Sequence, residues 1–537
     1  MNNKLLLLVL CAAMTICVQK AKANNTHDIM VIADPHVMAS QLTDQGSAFD
    51  AMMAGQRKML DLSQVAFTAL VDTALQHQPS LVLIPGDLTK DGELESHDAV
   101  LEQLTRLKDA GINVLLIPGN HDIGGKAYQY HGADKTAVET LSDENWESKY
   151  AMVYEQATAK DKASHSYVAE PLAGVSVIGI DASHDDGDGY LSDASLEWIL
   201  QQADAARQKG NMIIAMCHWQ LLEHVDDGGV MMDWGLLNDS ELVRDSLMAH
   251  GVHLVLTGHM HVNSISTYRD TINMTGDSIV EISTGSPITY PCPYRWLSIS
   301  PDRSMVAVQT TNLTSLAGHE DLYSYSEQWM REHTKVIMPS LSVQMFDKAA
   351  NVLENTASEM LQGVPMGSMI ISMLMKQMPQ TDEEKRSIVD KYLTNTLIEL
   401  YLLHSRGNEH SEAKADSLAQ AMYDGVDALI HDLTDATLKN YASVQEKLIN
   451  AVLDANKVSI QSLVEDRTHW ASAYHSDQTD DLSPELLINH PQQGSRVEDV
   501  YIEHDGDVYD VLGRRITKGE MRKGGVYVVG KRLIINN

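Results

Sequence analysis

Short apolar runs that stop at an acid, an amide or an imidazole recur through the first half of this 537-residue chain. Ile29–Ala33 leads into Asp34-Pro35-His36, and LVLIPGD ends on Asp87. LLIPGN ends on Asn120, with His121 and Asp122 after it. MIIAMCH ends on His218, and HLVLTGHMH ends on His259 and His261. Such runs predict strands at Ile29–Ala33, Leu81–Ile84, Val114–Ile117, Val175–Ile180, Met212–Met216 and His253–Leu256. Between the first two, Phe67, Leu70, Val71 and Ala74 fall at helical spacing. Between the second and third, Val100, Leu101, Leu104 and Leu107 do the same, and Gly111 sits where a helix should stop. The pattern predicts consecutive β-α-β units with parallel strands, an α/β fold. Parallel strands bring their carboxyl ends to one edge, where such folds place ligands.

Each polar strand exit alone is ordinary turn chemistry. Their conjunction is not. Asp34, His36, Asp87, Asn120, His218, His259 and His261 are all nitrogen or oxygen donors. Imidazole suits Zn, Fe, Ni and Cu, and carboxylate or amide oxygen suits Mn and Mg. Seven donors exceed the needs of one ion. Two divalent ions sharing a carboxylate fit the set, because a carboxylate has two oxygens to offer.

In order and spacing, Asp34-x-His36, Gly86-Asp87, Gly119-Asn120-His121-Asp122, His218 and Gly258-His259-x-His261 resemble the motifs of the calcineurin-like metallophosphoesterases. The resemblance covers about residues 27–312. It implies a four-layer α/β/β/α sandwich and two divalent ions, with Mn, Fe or Zn as candidates. It implies that Asp34, His36, Asp87 and His261 take one ion. Asp87, Asn120, His218 and His259 take the other, and Asp87 bridges. Two cations acidify a shared water to hydroxide and neutralise charge growing on phosphate oxygens. His121 lies outside the family's ligand set and is expected to stabilise the phosphoryl group or protonate the departing oxygen. Asp122 is expected to cap the turn or orient a ring. Lys90 occupies the position of the ligand Tyr of purple acid phosphatases and of the His-orienting Asp of phosphoprotein phosphatases, which argues against both branches. Asp91, one residue on, is the candidate to orient His121. GDLTKDGE followed by PGNHD is closest in style to bacterial class III cyclic-nucleotide phosphodiesterases with a helical domain after the catalytic one.

The expected function is an exported binuclear-metal hydrolase of phosphate esters, a phosphodiesterase with cyclic nucleotides among its candidate substrates. The alternatives are a phosphomonoesterase or pyrophosphatase on nucleotides or lipids, and a non-catalytic metal-binding scaffold. In EISTGSPITYPCPYRW, Tyr290 and Arg295 are the candidate substrate contacts, by stacking and by bidentate pairing with phosphate. Trp219 and His224 are candidate lining of the cleft.

Residues 1–23 have a basic start, a short apolar stretch and Ala21-Lys22-Ala23, the pattern of a secretory signal peptide. Export to the periplasm, the surface or the medium follows. The catalytic domain is expected over 24–318. Apolar recurrence at three and four (Val389, Leu393, Leu397, Leu400) and a Thr381–Glu384 capping box predict an all-α domain of four to six helices over 319–472. Residues 473–497 read as a polar linker, and 498–537 as a small C-terminal β-hairpin module. The first apolar stretch, Leu5–Val18, is too short for a membrane span, and no later one is long enough either. The formal charge of −34 argues against a nucleic-acid polymer as partner, but not against a small phosphate ester at a metal centre. Nothing in the sequence names a partner for the helical domain.

Overall fold

The computed structural model describes residues 27–183, 189–224, 235–270, 277–316, 318–363, 367–407, 413–438, 442–451, 453, 475–477, 481–488, 508–510, 515–516, 525–529 and 532–536. The expected signal peptide lies outside these residues. Strands β1 (His27–Val31), β2 (Leu81–Pro85) and β3 (Asn113–Ile117) are parallel neighbours. The helices Ser63–His77 and Leu94–Asp109 cross between them. Both form where expected. The first buries Phe67, Leu70, Val71 and Ala74, and Gly111 follows the second with φ +79°. A hairpin, β4 (Ala127–His131) with β5 (Asp134–Val138), stands apart.

The chain then builds a second sheet from β6 (Ala157–Lys160), β7 (Tyr167–Leu172), β8 (Val175–Ile180), β9 (Met212–Cys217), β10 (Leu254–Thr257), β11 (Ser264–Arg269) and β12 (Ser278–Ser283). Here β8, β9, β10 and β12 run parallel. It returns to the first sheet with β13 (Pro293–Ile299), antiparallel to β1, and β14 (Met305–Asn312). The apolar runs therefore serve two sheets rather than one. Strict alternation explains how. In β9, Met212, Ile214 and Met216 join the core between the sheets. Ile213, Ala215 and Cys217 join the core beneath the helices Asp193–Gln208 and Ser240–Ala249. A strand buried on both faces reads as one continuous apolar run whichever sheet it enters. The sheets are also tied by a hydrogen bond, Tyr167 Oη donating to the Leu116 carbonyl at 2.9 Å. The result is the expected α/β/β/α sandwich.

Helices follow at Leu322–Met360, Gly367–Lys376, Asp382–Tyr392, Thr394–Arg406 and Ala413–Leu438. The Thr381–Glu384 capping box is formed in both directions. A separate core of Phe346, Leu353, Val389, Leu397, Leu400 and Leu429 holds these helices together. No helix among the described residues is long and apolar enough to cross a membrane.

The linker reading of 473–497 is corrected. Within it, β15 (His475–Asp477) pairs with β11 and β16 (Glu485–Leu487) pairs with β14, giving each large sheet an added edge strand. Leu486 and Ile488 enter the catalytic core. Between the two strands, buried Asp481 accepts the Ile265 N–H on its Oδ1 at 2.8 Å. The helical region is therefore an excursion between β14 and β15, not a domain after the sandwich. Farther on, β17 (Val508–Asp510), β18 (Arg515–Ile516), β19 (Gly525–Val529) and β20 (Arg532–Asn536) form a four-stranded antiparallel sheet within the expected C-terminal module.

Candidate metal centre

Five strand exits meet at one end of the sandwich, three from the first sheet and two from the second. The turns that carry the donors are tight. Asp34, His36, Asp87, His259 and His261 all lie in the left-handed region, with φ between 41° and 66°. Non-glycine residues are held there at a cost of roughly 1–3 kcal/mol each, and they persist where the surroundings fix them. Two glycines give the carboxylates room. A Cβ on Gly119 would lie 2.3 Å from the Asp87 amide nitrogen and Oδ1, and one on Gly258 would lie 2.4 Å from Asp34 Oδ2.

The donors form two groups that share Asp87. Asp34, His36, Asp87 and His261 present ligand atoms within 4.8 Å of one another, as do Asp87, His218 and His259. In the first group, His36 Nε2 is 3.0 Å from His261 Nε2 and 3.3 Å from Asp87 Oδ2. His261 Nε2 is 3.5 Å from Asp34 Oδ1. His36 Nδ1 faces the Thr89 carbonyl at 3.3 Å, which assigns the ring proton to Nδ1 and turns the Nε2 lone pair inward. In the second group, His218 Nδ1 donates to the Pro85 carbonyl at 2.9 Å, leaving Nε2 as an acceptor 3.4 Å from Asp87 Oδ2. Asn120 Oδ1 completes this group, 3.0 Å from both His218 Nε2 and His259 Nδ1. All seven donors named from the sequence come together.

Electrostatics fit a pair of cations. Burial alone would raise the Asp87 carboxyl, but His218 beside it, by charge and by hydrogen bond, holds it well below the usual range. Burial also works against a charged His218, yet Asp87 and Asp34 outweigh it and raise the ring to about 9. Burial, with Lys58 beside it, holds His36 well below its ordinary value, so the ring stays a neutral donor. Asp34 Oδ1 accepts the His259 N–H at 2.8 Å, while its buried Oδ2 has no hydrogen-bond partner. Buried carboxylate oxygens are rarely left so, and a cation satisfies this one. The residues fit two divalent ions.

His121 stands beside this set. Its amide donates to Asp87 Oδ1 at 2.9 Å, and its ring lies edge-on to His36 with centroids 4.9 Å apart. Its Nδ1 donates to the Lys90 carbonyl at 2.7 Å and lies 3.2 Å from Asp91 Oδ1. The side chain is 31% exposed, so solvent-borne groups reach it. Asp122 performs turn chemistry: its carboxylate accepts from Gly119 N, Leu88 N, Thr89 N and Thr89 Oγ1, tying the β2 and β3 exits together.

Two expected substrate contacts are corrected. Arg295 is wholly buried in β13, where its guanidinium donates to the carbonyls of Asp481 at 2.9 Å and Ser283 at 3.0 Å. Tyr290 is buried, with its hydroxyl 2.6 Å from that of Tyr323. Neither meets a ligand arriving from solvent. Trp219 does not line the cleft either. It is buried with its ring 4.0 Å, centroid to centroid, from that of His259, and so backs a donor. His224 is buried between Ser264 Oγ at 2.7 Å and Glu281 Oε1 at 3.0 Å. Sequence reading missed Lys58, whose Nζ lies 3.4 Å from His36 Nδ1. No periodicity or motif marks it.

Two sheets whose parallel strands deliver a shared carboxylate, imidazoles and an amide to one edge define a metal-dependent phosphoester hydrolase. The sequence comparison agrees: residues 27–263 match the family model of the calcineurin-like phosphoesterases. No curated protein matches the chain. Among solved structures, the chain is similar to a dimetal phosphatase from Danio rerio, with 14% identity and a TM-score of 0.39 over 53% of this chain and 96% of that one. It is also similar to a purple acid phosphatase from yellow lupin (Lupinus luteus) seeds, with 13% identity and a TM-score of 0.34 over 53% of this chain and 51% of that one.

Proposed function

We propose that this chain is an exported phosphodiesterase in which Asp34, His36, Asp87 and His261 hold one divalent ion. Asp87, Asn120, His218 and His259 hold the second. When bound, the ions supply a nucleophile from water at neutral pH and neutralise charge on the phosphoryl oxygens. The rest falls to the chain. His121 donates a proton to the departing ester oxygen, a group too basic to leave unprotonated. Asp91 and the Lys90 carbonyl hold the ring by Nδ1, which leaves Nε2 as the atom that gives up the proton. Asp122 keeps the turns bearing Asp87 and Asn120 in register.

The observation that carries this reading is the convergence of seven donors from five strand exits around one shared carboxylate, with an oriented histidine beside it. The diester preference is supported by GDLTKDGE, which lacks the Arg of the protein phosphatases and resembles the cyclic-nucleotide phosphodiesterases. Export is supported by the basic, apolar and Ala-x-Ala order of residues 1–23.

The test is metal analysis of the purified full chain, with turnover of bis-p-nitrophenyl phosphate, p-nitrophenyl phosphate and cyclic AMP on the same sample. Two ions per chain and faster turnover of the diesters are expected. Turnover confined to the monoester would make the chain a phosphomonoesterase. Two bound ions with no turnover of any ester would make it a scaffold.

A further inference from the structure

Arg57 and Lys58 lie beside the metal centre, and no role in the reaction above uses them. They sit in the loop between the helix Ser47–Met53 and the turn Leu60–Leu62. The next residue, Met59, is buried and donates its amide to the Ile288 carbonyl at 2.8 Å, so the dipeptide is pinned. Lys58 Nζ lies 3.4 Å from His36 Nδ1 and 3.5 Å from His36 Nε2. Arg57 reaches the helical region: its guanidinium donates to Tyr401 Oη and lies 5.3 Å from the centroid of that ring. Tyr401 belongs to the helix Thr394–Arg406, whose end seats on the loop after His261, where Asn263 Nδ2 donates to the Ser405 carbonyl at 3.3 Å.

Neither cation makes an ion pair among the described residues. This is unusual company for an acid-rich chain with 74 Asp and Glu against 40 Lys and Arg. The contrast is local. Lys90, in the same neighbourhood, pairs with Asp91 and has Glu93 at 3.9 Å. Asp87 and Asp91 act on Lys58 only from a distance, so two fixed cations beside a pair of divalent ions have no carboxylate in contact until an anion arrives. The two ions suffice for the phosphoryl group under attack, so the further positive charge answers a further negative one.

We infer that Arg57 and Lys58 form a second anion subsite flanking the metal centre, which takes a non-reacting phosphate carried by the substrate next to the scissile diester. Tyr401 positions Arg57, so the helical region completes the subsite. This rests on the phosphodiesterase reading and narrows it to diesters bearing an additional phosphate group.

Thymidine 5′-(p-nitrophenyl phosphate) and its 3′-phosphorylated counterpart test it. They share leaving group and scissile diester and differ by one phosphate. With metal-loaded full chain, the KM for the 3′-phosphorylated ester should be lower by about tenfold, with little difference in kcat. Lys58→Met and Arg57→Met should each erase that ratio while keeping two ions per chain by metal analysis. Tyr401→Phe should reduce it partway. Equal KM values in the unaltered protein, or a ratio that survives Lys58→Met, would overturn the subsite. If neither ester is cleaved, the phosphodiesterase reading fails instead. Calorimetry with thymidine 3′,5′-bisphosphate against thymidine 5′-phosphate then reads the subsite without turnover, and equal affinities would overturn it.

Discussion

Asp91 Oδ1 lies 3.2 Å from Nδ1 of His121, the nitrogen that also donates to the Lys90 carbonyl at 2.7 Å. The acid is held in turn by its neighbour, because Lys90 pairs with the Asp91 carboxylate. Replacing His121 by Ala should cut kcat by about 10²–10⁴-fold, the range for loss of a general acid. Metal analysis should still find two ions, since no donor is removed. Asp91→Asn should cost less, roughly tenfold, because the Lys90 carbonyl still holds the ring. A His121→Ala protein with an empty site would sink the assignment.

Gly119 and Gly258 offer a backbone test of the centre. Gly119→Ala should abolish metal binding, since its Cβ would fall 2.3 Å from Asp87 Oδ1 and displace the shared carboxylate. Gly258→Ala should weaken it through Asp34. Gly55→Ala, with its nearest neighbour 3.6 Å away, serves as the control and should bind both ions. Equilibrium dialysis against the metal distinguishes the three.

Trp219 backs His259, and substitution by Leu removes that ring. The expected outcome is a loss of about 10–100-fold in affinity for one ion, the usual effect of losing support behind a ligand. Metal titration should show one weakened step and one unchanged. Two unchanged steps would mean that the ring only fills space.

Acid stability should depend on His97. It is buried, donates from Nε2 to the Asp122 carbonyl at 2.9 Å and accepts from Tyr150 Oη at 2.6 Å on Nδ1. Burial pushes it down from 6.5 to about 4. The unfolded chain therefore binds the proton first. The neutral ring's contribution is complete above pH 6.5 and is lost as pH falls toward 4. Two and a half pH units correspond to at most roughly 3 kcal/mol. Chemical denaturation at pH 7 and pH 4.5 should show a smaller difference for His97→Gln than for the unaltered protein.

Asp481 should matter for stability and not for chemistry. Asp481→Ala leaves the Ile265 N–H without its acceptor in a buried place, a cost of about 1–3 kcal/mol. Denaturant midpoints should fall while turnover at low temperature is kept.

The sequence made the donors legible because each follows an apolar run too long to be chance and too short to be a helix. Ile29–Ala33 and Met212–Met216 announce their strands in the same way. What it hid has physical reasons. β15 and β16 are three residues each, too short for a period, and lie in polar sequence. Arg295 looked like a phosphate clamp because a fully buried guanidinium is rare, and nothing in YRW reveals that two carbonyls wait for it. Lys58 is near His36 only through the fold. The left-handed turns at Asp34 and His36 leave no trace either, since neither residue is glycine.

The return of β15 and β16 sets an order of assembly. During synthesis the ribosome delivers every metal donor by His261, yet the strands that close the two sheets emerge only at 475–487, after the helices. The nascent sandwich waits with an open flank on each sheet while some 160 further residues are made. Those helices, with a core of their own, are free to fold during that wait, and the catalytic half is sealed last.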